Sequence, residues 1–293
     1  MSRQFGMAGV QMAPVPWDVQ GSVDKIERLT RRISTLFPWV EMIVFPELAA
    51  TGLDVFYPPP EGWQYDQVAE TVPGPLTERF CRLAQEVHKW LLPGSIYECV
   101  GATVYNTALV ISPQGKLVTS YRKLFPWRPR ENTAAGQEFC VFDVPGAGRF
   151  GISICYDMWF PEHARSLAWL GAEVILHPTA TYTSDRALEV ILSQANAIFN
   201  QCYFVDINSC GHSARGFSMV VDPEGRVLQQ AGEQEGFLTE VLDLDRVSRA
   251  REFGTLALDT LWKQLHNTAV HFPPYGAGFV PSPWMKGKDH GHD

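Results

Sequence analysis

"FGISICYDMWFPEHARSL", residues 150–167, is the stretch whose reading decides the fold. A run of small and apolar residues ends in one cysteine, Cys155, and Asp157 and Pro161 follow within six positions. The run reads as a buried strand. Pro161 suits a first helical turn, where its missing N–H costs nothing, and Glu162 complements the positive end of the helix dipole. The pattern predicts a strand closing at Ile154, Cys155 at its tip, and a helix over 161–170. Strand C-termini are where α/β proteins open a crevice. Taken alone, a cysteine after "ISI" suits a core thiol equally well, because Cys is among the most buried residue types.

Outward from this stretch, further strand-like runs rich in Val, Ile and Phe occur at 5–13, 41–47, 90–98, 106–112, 173–178 and 202–208. Helix-period stretches at 21–36, 76–89 and 185–200 separate several of them. SPQGK (112–116) and DPEGR (222–226) are turn signals flanked by apolar runs and mark hairpins. Strands alternating with helices predict one layered α/β domain, sheets inside and helices outside, over residues 1–253. The Pro/Gly/aromatic text of 254–293 reads as an extended segment with mobile last residues.

The chain has 293 residues, 45% of them hydrophobic, which is enough for a large core. Lys and Arg total 24 against 32 Asp and Glu, a net charge of −8. A phosphate field repels such a surface, which excludes a general nucleic-acid or anionic-membrane binder. No apolar run reaches the ~18 residues of a membrane-spanning helix, and no basic-then-apolar leader is read at the N-terminus. Cys81, Cys99, Cys140, Cys155, Cys202 and Cys210 form no CxxC and no regular framework. Reduced thiols in a cytoplasmic protein are expected.

Nucleophilic chemistry at Cys155 needs a base and a group to hold an oxyanion, so other strand tips matter. In EMIVFPEL, Glu47 directly follows an apolar strand, where a carboxylate acquires a raised pKa. In YRKLFPWRPRE, Lys123 stands among Tyr121, Leu124, Phe125 and Trp127, and Glu131 follows eight residues later. Glutamates and lysines in loops are by default solvated charges; three such signals in one chain carry more than each does separately.

FPEL (45–48), YRKLFPWRPRE (121–131) and ICYDMWFPE (154–162) resemble the nitrilase superfamily of carbon–nitrogen hydrolases. The resemblance runs from GVQMAP (9–14) to about residue 245. It implies a four-layer αββα sandwich that pairs through its outer helices, and a thiol hydrolase without metal or organic cofactor. By the same resemblance Cys155 is the nucleophile that forms a thioester, and Glu47 the proton carrier. Lys123 would be the oxyanion-stabilising cation, helped by the Tyr156 backbone N–H and favouring the thiolate, and Glu131 a positioning carboxylate. Tyr156, Trp159, Trp127 and His177 are the expected substrate contacts.

True nitrilases follow the cysteine with Trp-Glu; Tyr156-Asp157 here favours amides over nitriles. The YRK-x-x-PW-x-P-x-E pattern and the A-x-A-x-x-N-x-C-Y run at 195–203 look like aliphatic amidases and formamidases. YDMWFPE is closer to omega-amidases and carbamoylases, which place an arginine beside the nucleophile to read a carboxylate. Met158 and Trp159 stand there instead, with Arg128 and Arg130 as the other available cations. A small neutral amide and water are therefore the expected partners, with a carbamoyl amide or nitrile as alternatives. A Cys–His hydrolase using His177 or His212, and a silent binding protein on the same fold, are readings from other classes; a zinc hydrolase is disfavoured because no HExxH occurs. Apolar positions on several faces of helices 161–170 and 184–200 (Leu167, Ala168, Leu170, Ile191, Leu192, Ile198) predict a homodimer or higher oligomer. Phe272, Tyr275, Phe279 and Trp284 form an expected strap across the partner.

Overall fold

The structure, a computed structural model, describes residues 2–52, 60–62, 64–212, 214–259, 261–270 and 272. Its first half runs β1 (Gln4–Gln11), α1 (Val19–Leu36), β2 (Met42–Val44), α2 (Pro75–Val87), β3 (Trp90–Leu92), β4 (Ser95–Val100), β5 (Thr103–Ile111) and β6 (Leu117–Arg122). Then follow β7 (Cys140–Val144), β8 (Gly148–Ile152), α3 (Pro161–Trp169), β9 (Val174–Thr179), α4 (Arg186–Asn200) and β10 (Tyr203–Asn208). The chain closes with β11 (Met219–Val221), β12 (Val227–Gln230), β13 (Gly236–Asp243), α5 (Asp245–Phe253) and α6 (Leu261–Asn267).

One sheet has the order β13-β1-β2-β3-β5-β4, with β6 added on β5; the other is β12-β11-β10-β9-β8-β7. β1, β2 and β3 are mutually parallel neighbours, as are β8, β9 and β10. Parallel neighbours need a crossover, and α1, α2, α3 and α4 provide it, lying on the outer faces. The hairpins marked by SPQGK and DPEGR are β5–β6 and β11–β12.

Alternating residues of each strand choose the layer. From β1, Phe5 and Met7 join Phe150, Leu176 and Val205 between the sheets, while Ala8 and Val10 pack with Val23, Ile26 and Phe80 under α1 and α2. From β10, Tyr203 and Val205 face the inter-sheet core, and Phe204 packs with Leu167 and Ala197 under α3 and α4. The layers are thus helix, sheet, sheet, helix. A strand buried on both faces reads as a nearly continuous apolar run rather than an alternating one. At Gly9 a Cβ would stand 2.1 Å from Ile207 Cδ1, so a side chain there would push the sheets apart.

Three boundaries differ from expectation. The run at 90–98 is two strands, broken at Gly94, whose φ of +86° turns the chain and whose absent Cβ would lie 1.8 Å from the Pro46 carbonyl oxygen. The strand before Cys155 ends at Ile152, because the Ile154 N–H is captured by Asp157 Oδ2 at 2.9 Å. The segment after 253 is not uniformly extended. α6 packs Trp262 edge-on against Trp169 at 5.9 Å, with the Arg165 and Arg251 guanidinium groups over its ring. Of the expected strap, Tyr275, Phe279 and Trp284 lie outside the described residues. No helix among the described residues is long and apolar enough to cross a membrane.

Candidate active site

Four loops that leave strand ends meet at one edge of the sandwich. Glu47 lies three residues beyond β2, and its bend is held by Leu48, which has φ 52° and donates its N–H to Ser95 Oγ at 3.0 Å. Lys123 directly follows β6; its N–H donates to the Asn106 carbonyl at 2.8 Å and its own carbonyl accepts from Gly136 N–H at 2.8 Å. With its backbone pinned on both sides, the side chain is buried, 1% exposed. Lys123 Nζ donates to Glu47 Oε1 at 2.9 Å and to Glu131 Oε2 at 2.7 Å. Asn106, on β5, reaches the same two carboxylates through Nδ2, at 2.8 and 3.0 Å. Glu131 also accepts from Trp127 N–H and Thr133 Oγ1, each at 3.0 Å.

Cys155 opens a 3-10 turn, Cys155–Trp159, with φ 47°, a conformation that costs a non-glycine residue on the order of 1–3 kcal/mol. The buried Asp157 carboxylate holds this turn to the lysine loop. It accepts from Ile154 N–H and Phe125 N–H at 2.9 Å each and from Tyr121 O–H at 2.7 Å. Tyr121 Oη lies 2.7 Å from His163 Nε2, and burial pushes that imidazole below its ordinary pKa, which favours the neutral ring.

Glu47, Lys123, Glu131 and Cys155 line a cavity of about 310 Å3 together with Trp127, Tyr156, Thr181, Tyr182 and Glu189. Thr181 Oγ1 lies 3.8 Å from Cys155 Sγ. Burial raises the Glu47 carboxyl above its ordinary pKa, with Lys123 opposing. Glu131 moves the other way: burial works against ionisation, but the Lys123 charge and the hydrogen bonds outweigh it. Burial and the Glu47 charge together push the Cys155 thiol well up, and Lys123 only partly opposes them. Lys123 thus favours the thiolate electrostatically, but burial and Glu47 outweigh it.

Tyr156 and Trp127 line the cavity as expected; two other expected contacts do not. His177 is fully buried behind it, with Nδ1 3.0 Å from Ser153 Oγ, and burial drives its pKa well below the ordinary value. His212 is exposed and also outside the lining, so neither histidine faces the cavity that holds Cys155. Trp159 turns away from the lining and donates its indole N–H to Glu189 Oε1 at 3.2 Å. Of the two arginines, Arg130 faces the cavity with its guanidinium over the Trp127 ring, whereas Arg128 is occupied by the Glu131 and Thr133 carbonyls. Asn106, Thr181 and Glu189 were not singled out from the sequence. Asn106 starts an apolar run, which is a faint signal, and Glu189 sits in a helix whose period points its charge nowhere in particular.

The αββα sandwich is the fold of the nitrilase superfamily, and comparison with known proteins agrees on the family. The carbon–nitrogen hydrolase model matches residues 7–252, and the chain belongs to that family. It is 30% identical over 217 residues to a formamidase of Bacillus cereus (strain Q1), covering 70% of this chain and 63% of that protein. The chain thus spans somewhat under two thirds of the length of the curated relatives it matches. Among solved structures, Saccharomyces cerevisiae Nit3, a member of branch 10 of the nitrilase superfamily, superposes with a TM-score of 0.76 at 26% identity, over 86% of this chain and 94% of that one. A cysteine-to-alanine mutant of the amidase from Nesterenkonia sp. AN1 in complex with butyramide superposes with a TM-score of 0.71 at 26% identity, over 86% and 95% of the two chains.

Proposed function

We propose that this protein hydrolyses the C–N bond of a small amide to a carboxylic acid and ammonia through a thioester on Cys155. The observation that carries the reading is Lys123 Nζ at 2.9 and 2.7 Å from two buried carboxylates, in the cavity that also holds the thiol. Glu47 takes the thiol proton as Sγ attacks the carbonyl carbon. The oxyanion forms against the Lys123 cation and the Tyr156 N–H, one of the first N–H groups of a helical turn, which lack intrahelical acceptors. Collapse expels ammonia, which receives its proton from Glu47. Water then attacks the thioester while Glu47 removes its proton, and the acid leaves as the thiol is restored. Glu131 and Asn106 position Lys123 and Glu47.

The formamidase and amidase relatives support an amide as substrate. The lining argues against an acidic one: Glu47, Glu131, Asp185 and Glu189 stand against Lys123 and Arg130. A substrate carboxylate entering there would lose hydration and meet net negative charge. Ammonia release tests this on formamide, butyramide, succinamate, an N-carbamoyl amino acid and a nitrile. Neutral short amides should turn over fastest, with butyramide at least about tenfold ahead of succinamate. Turnover of only the carbamoyl compound or the nitrile would redirect the assignment, and no ammonia from any of them would leave a binding protein.

We also propose that the protein assembles as a dimer through α3 and α4. The inner face of α4 is largely polar, with Arg186, Glu189, Ser193, Asn196 and Asn200 buried beside Ala197, while Leu188, Ile191 and Phe199 are more than half exposed. Trp169 and Leu170 extend this patch from α3, whereas Leu167 and Ala168 are buried beneath it. A helix with its apolar side outward is covered in the functional state. Light scattering at working concentration should give twice the chain mass; a monomer would sink the claim.

A further inference from the structure

The mechanism leaves one buried carboxylate of the cavity unused. Glu189, on the first turn of α4, belongs to a cluster of one cation and two carboxylates with Arg186 and Asp206. All three side chains are at most 3% exposed. Arg186 Nη1 donates to Glu189 Oε2 at 3.2 Å, and Nη2 lies 2.8 Å from Asp206 Oδ2. The remaining guanidinium donors go to the Gly216 and Phe217 carbonyls, at 3.1 and 2.9 Å. Ser193 Oγ donates to Asp206 Oδ2 at 2.9 Å. With both acids ionised the cluster would carry one uncompensated negative charge away from water, and burial accordingly raises the pKa of both Glu189 and Asp206. Asp206 is closed off beneath α4; Glu189 alone of the three lines the cavity.

Glu189 also lies close to the reacting atoms. Glu189 and Thr181 both line the cavity, and Thr181 Oγ1 is 3.8 Å from Cys155 Sγ. A carboxylate has about four acceptor sites, and Arg186 and Trp159 account for two, each through a single contact, which leaves a place for a further donor. A cationic donor in the cavity could take that place and supply the missing charge. Asp185, on the same side of the lining, adds to the negative field.

Building on the proposed amide hydrolysis, we infer that Glu189 is a specificity-determining residue that selects amides whose acyl part carries an ammonium group two or three carbons from the carbonyl. Glu189 and Cys155 line the same cavity of about 310 Å3, so an acyl group whose carbonyl reaches the sulfur has only a short arm to extend toward Glu189.

The test compares β-alaninamide with butyramide, which has the same heavy-atom skeleton with a methyl in place of the ammonium. Wild type should show a kcat/KM on the order of ten- to hundredfold higher for β-alaninamide, the range of a charge-assisted hydrogen bond. Glu189→Gln should collapse that ratio, and Glu189→Asp, which keeps the charge, should retain part of it. Protection of Cys155 from iodoacetamide by each amide reads the same preference without turnover. Butyramide matching or beating β-alaninamide in wild type would overturn the inference whatever the variants do, as would an unchanged ratio in a folded Glu189→Gln. Protection in the expected order with no ammonia released would uphold Glu189 and strike the hydrolytic reading instead.

Discussion

Cys155→Ala should abolish amide turnover while leaving the thermal midpoint nearly unchanged. The substitution removes one sulfur atom from a half-buried position and leaves the backbone problem as it was, because alanine and cysteine both carry a Cβ at φ 47°. Cys155→Gly should be equally inactive yet more stable by ~1 kcal/mol, since glycine adopts positive φ without strain. The pair separates a catalytic loss from a folding loss. In wild type, acid quenching during turnover should trap the acyl mass on the peptide that contains Cys155. An adduct on any other cysteine would refute the assignment. Cys202 and Cys210 are poor alternatives, since both are buried and neither lines the cavity.

The second large effect is expected at the charge cluster. In the proposed mechanism Glu47→Gln removes the base that takes the thiol proton, and Lys123→Ala removes the cation facing the developing oxyanion. Each should lower kcat by roughly three orders of magnitude, as for the loss of a general base or an oxyanion donor, and the losses should not add because the groups act as a unit. Lys123→Ala also leaves Glu47 and Glu131 buried without a counterion, which costs ~3–5 kcal/mol of stability. The pH profile distinguishes the two roles. Glu47 must be ionised to accept the proton, so kcat/KM rises with pH through its pKa, on an acid limb above the ordinary 4.5 because burial raises it. Lys123 opposes that rise, so in Lys123→Ala the acid limb of the residual rate should move to still higher pH. A limb that stays in place would mean that Glu47 is not the titrating base.

Much of this was legible in the sequence for a local reason. The order of strands and helices follows from apolar runs of five to nine residues and from signals such as Pro161, SPQGK and DPEGR, each complete within one short segment. Cys155, Glu47 and Lys123 stood out because polar residues close to strand tips interrupt such runs. What could not be read there is pairing. Lys123 meets Glu47 across 76 positions and Asn106 meets Glu47 across 59, distances over which no periodicity carries information. The direction a side chain takes is equally a matter of packing. Trp159 was expected at the substrate, but Glu189 holds its indole N–H from α4, and His177 lies fully buried in the sandwich. The buried polar face of α4 is the clearest case. Its sequence shows an amphipathic helix, yet tertiary structure alone decides which side faces inward, because Arg186, Asp206 and Glu189 satisfy one another only when they are folded together. Sequence by itself determined the layers and the chemistry available at their edge. Tertiary structure decided how differently the three cavity carboxylates are held: burial raises Glu47, the Lys123 charge and hydrogen bonds lower Glu131, and Glu189 pairs with Arg186, all through long-range packing.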